Sequence, residues 1–237
     1  MLDTMRTRVF ADGAALQEIL RYAEDPRISG FTTNPTLMWK AGLTDYGEFA
    51  RRLLERITNH PISFEVFAHE ERELRRQART IASWGDNVYV KVPVVTGTGR
   101  SSAQLVRELC EEGIRVNVTA LMTPAQVEVV AAALANGGPS YVSVFAGRIA
   151  DTGVDPLPIM RRSLEILTAA APRAELMWAS AREVLNLVQA DSIGCPIITM
   201  TSDLLPKLDS LGKDLECLSL ETVQMFQHDA VAAGFAL

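Results

Sequence analysis

Short apolar runs rich in β-branched residues alternate along the chain with segments in which apolar residues recur every three or four positions. The first pattern is typical of buried β-strands, and the second is typical of helices that pack one face against a core. Turn signals such as Asn34-Pro35 separate the two kinds of segment. The pattern predicts eight strands, at residues 8–11, 30–33, 62–67, 88–93, 115–119, 141–145, 175–179 and 196–200.

Capping patterns mark the start of two helices. Ser101 with Gln104, and Thr123 with Gln126, each place a hydroxyl residue three positions before a glutamine, as in a capping box. Pro124 strengthens the second start, because proline is favoured in the first helical turn. After Asn34-Pro35 we expect one helix that continues through Phe49, Leu53 and Ile57. We expect a loop after Gly147-Arg148, up to the helix that begins at Asp155-Pro156.

Strands and helices alternate without a long linker or a break in composition, which predicts one domain over residues 1–237. The expected fold is a single parallel (β/α)8 barrel, an architecture that takes about 250 residues. A doubly wound sheet is the alternative, but no glycine-rich dinucleotide fingerprint follows the first strand. An extra C-terminal helix, at about 220–233, could pack on the barrel or on a second copy, so a homo-oligomer is a further hypothesis.

The amino-acid composition argues against several classes of binding partner. The formal net charge is −6 with both signs intermingled, so the chain offers no basic face to nucleic acid or to an anionic membrane. Three cysteines without CxxC spacing and three distant histidines argue against a disulfide framework and against a metal site. We find no predicted membrane span and no signal-peptide pattern, and we therefore expect a cytoplasmic protein.

Lys91 stands in the middle of the apolar fourth strand, in the run Val88-Tyr89-Val90-Lys91-Val92-Pro93. A long cation is uncommon in such a position unless it is paired or its amine is used. One interpretation is a lysine at a strand end that reaches solvent. The other is a nucleophilic amine, because desolvation and nearby cations lower the pKa of a lysine and leave part of it neutral.

Polar residues gather at the carboxyl ends of the predicted strands, which in a barrel line one mouth. Each of them alone is more often a cap, a turn residue or a satisfied buried group. Together they offer an amine, two carboxylates, hydroxyl and amide groups and two guanidiniums, a set that suits carbonyl chemistry on a phosphorylated, polyhydroxylated substrate. They are Asp12, Asn34, Glu65, Lys91, Thr119, Ser143, Arg148, Ser180 and Arg182.

Five segments resemble, in chain order, the motifs of the transaldolase family: residues 30–37, 90–93, 113–119, 141–148 and 179–182. The pairing of Thr-Thr-Asn-Pro with Val-Lys-Val-Pro is specific. The resemblance implies a class I aldolase barrel that needs no cofactor and carries its Schiff-base lysine on the fourth strand, where Lys91 falls. The small members of the family include fructose-6-phosphate aldolases.

The resemblance also implies a role for each candidate residue. Lys91 would form an imine with a ketose, and Asp12 would accept the proton of the hydroxyl whose carbon becomes the aldehyde. Glu65 and Thr119 would hold a water that moves protons. The sugar part of the substrate would be bound by Thr33, Asn34, Ser143 and Phe145. Its phosphate would be bound by Arg148, Ser180 and Arg182.

Two positions bear on the choice of reaction. The resemblance implies that transaldolases carry glutamate on the third strand and phenylalanine on the sixth, as Glu65 and Phe145 do here, where fructose-6-phosphate aldolases carry glutamine and tyrosine. A transaldolase acting on sedoheptulose 7-phosphate and glyceraldehyde 3-phosphate is therefore the first hypothesis. A fructose-6-phosphate aldolase, or a specialised enzyme for another sugar phosphate, is the alternative. A non-catalytic barrel that binds sugar phosphates is the alternative from another class.

The chain departs from the family pattern on the loop side, where the choice of acceptor is set. The departures are at Gly13, Ala150, Thr201 and residues 97–100.

Overall fold

Eight apolar runs form parallel strands that are buried on both faces. A computed structural model of the protein describes residues 2–235. Its strands are β1 Arg8–Asp12, β2 Ile28–Thr32, β3 Ile62–Glu65, β4 Val88–Pro93, β5 Val116–Leu121, β6 Ser140–Val144, β7 Ala174–Trp178 and β8 Ile197–Thr201. Near-continuous apolar runs are what a parallel sheet covered by helices requires.

The sheet closes on itself, because β1 pairs in parallel with both β2 and β8. The strand order is β1 to β8 in sequence, with β8 returning to β1. Each strand is followed by helical structure, and this confirms the predicted (β/α)8 barrel and excludes the open doubly wound sheet.

Helices follow the strands, and all of them except the last bury residues against the barrel. They are α1 Leu16–Ala23, α2 Pro35–Lys40, α3 Tyr46–Leu54, α4 Glu71–Ala82, α5 Ala103–Glu111, α6 Pro124–Leu134, α7 Ala146–Asp151, α8 Pro156–Ala170, α9 Leu185–Ser192 and α10 Leu215–Ala232. In α4, the apolar residues Leu74, Ala78 and Ile81 are buried, as their spacing of four and three predicts. Short 3₁₀ helices lie at Leu2–Thr4 and Leu205–Ser210.

One of the two predicted capping boxes is present. At the start of α6 the Thr123 hydroxyl oxygen accepts the Gln126 backbone N–H, and the Gln126 side-chain oxygen accepts the Thr123 backbone N–H. Pro124 lies in the first turn. The capping box predicted at Ser101 is wrong, because Ser101 pairs with Val95 in an isolated bridge and α5 begins only at Ala103. The Gln104 side chain instead donates to Glu108, one turn ahead.

Two helix predictions need correction. The continuous helix predicted after Pro35 is two helices, because the chain turns at Gly42, whose φ of +70° is left-handed, and starts again at Asp45. The Asp45 carboxylate caps α3 by accepting the Glu48 N–H. The loop predicted after Gly147 is wrong in its first part, because Gly147 and Arg148 lie in the six-residue helix α7.

A separate apolar cluster fills the inside of the barrel. It takes one residue from each of five strands: Phe10, Tyr89, Tyr141, Met177 and Ile197. The Tyr89 and Tyr141 rings stack with centroids 4.2 Å apart. Because Phe10 precedes Asp12 by two residues and Tyr89 precedes Lys91 by two, this cluster lies one layer below the candidate residues.

Helix α10 differs from the other long helices. None of its residues is buried, and it exposes apolar side chains that include Leu215, Val223, Phe226 and Val231. It begins five residues before the predicted helix of about 220–233, at a cap made by Asp214. No helix between residues 2 and 235 is long and apolar enough to cross a membrane.

Candidate active site

Lys91 points into the mouth of the barrel and does not reach the outer solvent. Its side chain is 7% exposed. The amine donates to the Thr33 carbonyl oxygen at 3.0 Å and lies 3.2 Å from Glu65 Oε2. Glu65 is its direct partner in the β3–β4 register, so the two side chains emerge together. The interpretation of Lys91 as a lysine that reaches solvent from the strand end is excluded.

Asp12, at the end of β1, is held on both carboxylate oxygens. Oδ1 accepts the Thr32 hydroxyl at 2.8 Å, and Oδ2 accepts Asn34 Nδ2 at 3.3 Å. Burial raises the pKa of Asp12 above its ordinary value, while the charge of Lys91 and these two hydrogen bonds act in the opposite direction. Asp12 and Lys91 therefore share one electrostatic environment, in which the carboxylate is more basic than an exposed one.

Asn34 is oriented by the helix that it caps. Its Oδ1 accepts the Leu37 N–H at 2.9 Å, as a helix N-cap requires, and this turns Nδ2 toward Asp12. The backbone carbonyl oxygen of the neighbouring residue, Thr33, accepts the hydrogen bond from the Lys91 amine. The Thr33 hydroxyl is buried and donates to the Ser63 carbonyl oxygen.

A buried chain of side chains crosses the barrel at Ser143. The Ser143 hydroxyl donates to Asn117 Oδ1 at 2.7 Å, and Asn117 Nδ2 donates to Ser63 Oγ at 3.0 Å. Asn117 is paired in register with Lys91, so this chain belongs to the same mouth. It fixes the Ser143 side chain.

The Thr119 hydroxyl is buried and has no hydrogen-bond partner among residues 2–235. The next residue, Ala120, has a φ of +63°, and the β5–β6 register shifts between Val118 and Leu121. A bulge of this kind re-aims the neighbouring side chains. A buried hydroxyl without a protein partner is a group that a ligand or a water can satisfy.

The two predicted phosphate-binding arginines lie on segments that touch each other. Arg148 is on α7 and Arg182 follows β7. A Cβ added at Gly147 would lie 1.6 Å from the Ser180 carbonyl oxygen, so only glycine permits this approach. Ser180 itself has a φ of +63°, a conformation that is uncommon outside glycine. The close contact sets the spacing of the two arginines.

Each arginine has a partner at the rim. Arg182 Nε lies 3.1 Å from both Asp151 oxygens, and Arg182 Nη2 lies 2.5 Å from Oδ2. These bonds lower the pKa of Asp151 below its usual value. The Arg148 guanidinium carbon lies 5.6 Å from the centre of the Phe145 ring. Both guanidiniums are exposed at the mouth.

Several residues that contact the candidate residues are not among those predicted from the sequence. Asp151 follows Ala150, a position at which the sequence departs from the family pattern, and Asn117 is the polar inward position of the fifth strand. Thr32 was overlooked in favour of Thr33. Tyr46 donates to the Glu65 carbonyl oxygen at 3.2 Å, and burial raises its pKa. No sequence signal pointed to Tyr46, which stands at the start of a helix that was not separately predicted.

The profile of the family described as Transaldolase/Fructose-6-phosphate aldolase matches residues 9–237. The chain belongs to this family. The resemblance inferred from the motifs is thereby confirmed. The cluster around Lys91 therefore lies in a barrel of the transaldolase/fructose-6-phosphate aldolase family.

The chain is also similar to individual proteins that are named as probable transaldolases. A protein of Listeria monocytogenes named "Probable transaldolase 2" is 33% identical over 201 residues, which is 85% of this chain and 88% of the relative. A "Probable transaldolase" of Dehalococcoides mccartyi is 30% identical over 229 residues, 97% of this chain and 94% of the relative.

Solved structures share the barrel at much lower identity. Dihydrodipicolinate synthase from Rhodopseudomonas palustris superposes with a TM-score of 0.59 at 12% identity, over 82% of this chain and 69% of that chain. At this identity the likeness concerns the fold alone.

Proposed function

We propose that the protein is a transaldolase that moves a three-carbon dihydroxyacetone unit between sugar phosphates through an imine on Lys91. The donor would be sedoheptulose 7-phosphate and the acceptor glyceraldehyde 3-phosphate, giving erythrose 4-phosphate and fructose 6-phosphate. The observation that carries the proposal is the buried Lys91 amine, within hydrogen-bond reach of Glu65 and in the electrostatic environment of Asp12.

The first step joins the Lys91 nitrogen to the C2 carbonyl of the ketose. Addition gives a carbinolamine, and loss of water gives an imine that draws electrons from the neighbouring C3–C4 bond. Glu65 lies 3.2 Å from the amine, and the Thr119 hydroxyl is buried without a partner among the described residues. Both observations support a role for these residues in holding a water that carries protons in this step.

The second step breaks the C3–C4 bond. Asp12 takes the proton of the C4 hydroxyl, C4 leaves as the aldehyde, and the electron pair stays on the three carbons bound to Lys91. The raised pKa of Asp12 supports this role, because a base is more effective when its pKa lies nearer the working pH. An incoming aldehyde then reverses these events, and water releases the new ketose.

The phosphate of donor and acceptor would lie between Arg148, Ser180 and Arg182. Asp151 occupies the Nε and Nη2 side of the Arg182 guanidinium, which leaves the N–H groups on Nη1 for a phosphate. Charge-assisted, two-point contacts of this kind are strong and directional. Thr33, Asn34, Ser143 and Phe145 would surround the rest of the sugar.

Borohydride trapping tests the imine. The protein is treated with fructose 6-phosphate and borohydride, digested, and mapped by mass spectrometry. The chain has four lysines, and the other three (Lys40, Lys207 and Lys213) are exposed, so they serve as internal controls. We expect a substrate-dependent adduct on Lys91 alone. Its absence would favour a barrel that binds sugar phosphates without catalysis.

An acceptor panel tests the reaction type. With fructose 6-phosphate as donor, a transaldolase consumes substrate only when an aldehyde acceptor is added. Free dihydroxyacetone without an acceptor would instead identify a fructose-6-phosphate aldolase. Glu65 and Phe145 favour the first outcome, because Phe145, directly after β6, has no hydroxyl with which to protonate the bound three-carbon intermediate.

A further inference from the structure

Asp12 is connected to the last strand of the barrel through two threonine hydroxyls. Thr32 Oγ1 lies 2.8 Å from Asp12 Oδ1, and Thr199 Oγ1 lies 2.6 Å from Thr32 Oγ1. Thr32 is 2% exposed and Thr199 is 6% exposed. Hydrogen bonds in such a dry environment are electrostatically stronger than bonds exposed to water.

The direction of this chain follows from the chemistry of its members. An ionised carboxylate only accepts hydrogen bonds, so the single hydroxyl proton of Thr32 is directed at Asp12. The proton between the two threonines must therefore come from Thr199. Each bond in such a series polarises the next, so Thr199 makes Thr32 a better donor to Asp12.

The two carboxylate oxygens of Asp12 consequently differ in their hydrogen bonds. Oδ1 ends the buried threonine chain, whereas Oδ2 has only the longer contact of 3.3 Å from Asn34. The chain fixes the rotation of the carboxylate and leaves Oδ2 as the oxygen that can accept a proton from a substrate.

We propose that Thr199 is a positioning residue for proton transfer at Asp12, acting through Thr32. The inference rests on the proposed function, which makes Asp12 the proton acceptor in C–C bond cleavage. Thr199 does not touch the reacting atoms. Its hydroxyl holds Thr32 in the donor orientation, and Thr32 in turn holds Asp12 Oδ1.

The charged groups of the mouth must stay constant in a test of this proposal. Lys91 on β4 acts directly on the Asp12 carboxylate, and Glu65 on β3 pairs with Lys91. On the β8 side, Asp203 follows the strand and accepts the Thr201 hydroxyl. Substitution of Thr199 changes none of these charges.

The test compares Thr199→Val, which removes the hydroxyl at nearly constant volume, with Thr199→Ser, which keeps it. Thr199→Ala is a second hydroxyl deletion in case the valine does not fit. The matched control is Thr7→Val, which removes an equally buried hydroxyl at the opposite end of the barrel, where Thr7 precedes β1 and donates to the Cys195 carbonyl oxygen. For each variant, kcat/KM for ketose cleavage is measured against pH, and the Asp12 carboxyl is titrated by ¹³C NMR, assigned with Asp12→Asn.

We expect Thr199→Val to lower kcat/KM about tenfold, the equivalent of one hydrogen bond of the usual strength. The acid limb of the pH profile and the Asp12 titration should both move to higher pH. Thr199→Ser and Thr7→Val should match the parent protein in both measurements. A titration unchanged in both Thr199→Val and Thr199→Ala would overturn the assignment, as would equal shifts in the serine and valine variants.

Failure of the proposed function would look different. In that case no borohydride adduct forms on Lys91 in the parent protein, and there is no turnover to compare. The NMR titration of Asp12 needs no substrate, so it still decides whether Thr199 acts on Asp12.

Discussion

Replacing Lys91 by methionine should destabilise the protein, because it leaves the Glu65 carboxylate without its cation. The side chains are 7% and 16% exposed, and their charged atoms are 3.2 Å apart. Removing one partner of a buried ion pair costs about 3–5 kcal/mol, and the residual solvent contact of Glu65 points to the lower end, about 3 kcal/mol. Each kcal/mol lowers Tm by about 2–4 °C in a chain of this size.

A double-mutant cycle measures the interaction energy between Lys91 and Glu65. Glu65→Gln alone should cost about 1–3 kcal/mol, since Lys91 loses its ion pair and keeps the Thr33 carbonyl and the more distant charge of Asp12. With both changes neither member of the pair carries a charge, but Asp12 still loses the charge of Lys91, so we expect the double variant to lie within about 2 kcal/mol of the parent. The coupling energy should therefore exceed about 2 kcal/mol.

Urea unfolding at neutral pH, followed by circular dichroism, measures all four proteins. The matched control is the exposed pair Lys213 and Glu221, whose side chains are 34% and 53% exposed. The cycle of Lys213→Met with Glu221→Gln should give less than about 1 kcal/mol. If the Lys91 and Glu65 effects add to within about 0.5 kcal/mol, the two side chains do not interact and the arrangement described for the mouth is wrong.

Four further outcomes are expected. Arg182→Ala should raise KM for phosphorylated donors about 10–100-fold with little change in kcat, because it removes charge-assisted contacts; an equal effect on unphosphorylated sugars in steady-state kinetics would contradict this. Gly147→Ala should lower the free energy of unfolding, measured in urea, by about 3 kcal/mol or more, because its Cβ meets the Ser180 carbonyl; an unchanged free energy of unfolding would refute the close contact. Asp12→Asn should be more stable than the parent at pH 7, because burial raises the pKa of Asp12 and disfavours its ionised form in the folded state. That gain should disappear in urea titrations as the pH falls below the ordinary carboxyl value of 3.8, and a gain independent of pH would disprove it. A chain ending before Leu215 should assemble into fewer copies than the full chain, as measured by light scattering, because α10 exposes the apolar residues that we expect a second copy to cover. The same number of copies in both proteins would assign α10 no role in assembly.

The barrel was predictable because its signals are local. Each strand is an apolar run, and the cap at Thr123 needs only residues within one turn. The missed elements have weak local signals. Helix α7 has six residues, too few for a helical period to show, and α2 is separated from α3 by a turn at Gly42.

The candidate site was predictable as a set of residues but not as a set of contacts. Lys91 was visible because a lysine interrupts an apolar strand. The bond between Thr32 and Thr199 joins residues 167 positions apart, and neither position is unusual in its own segment. The pairing of Arg182 with Asp151 depends likewise on the approach of Gly147 to Ser180, which no local pattern encodes.

The parallel pairing of β1 with β8 has a consequence for synthesis of the chain. Until the ribosome has delivered residues 197–201, β1 has a neighbour on one side only, and the ring is open beside Asp12. Strand β1 therefore waits until residue 201 has been made before the Asp12 carboxylate is enclosed. Enzymatic competence should arise only after β8 has been synthesised and seals the ring.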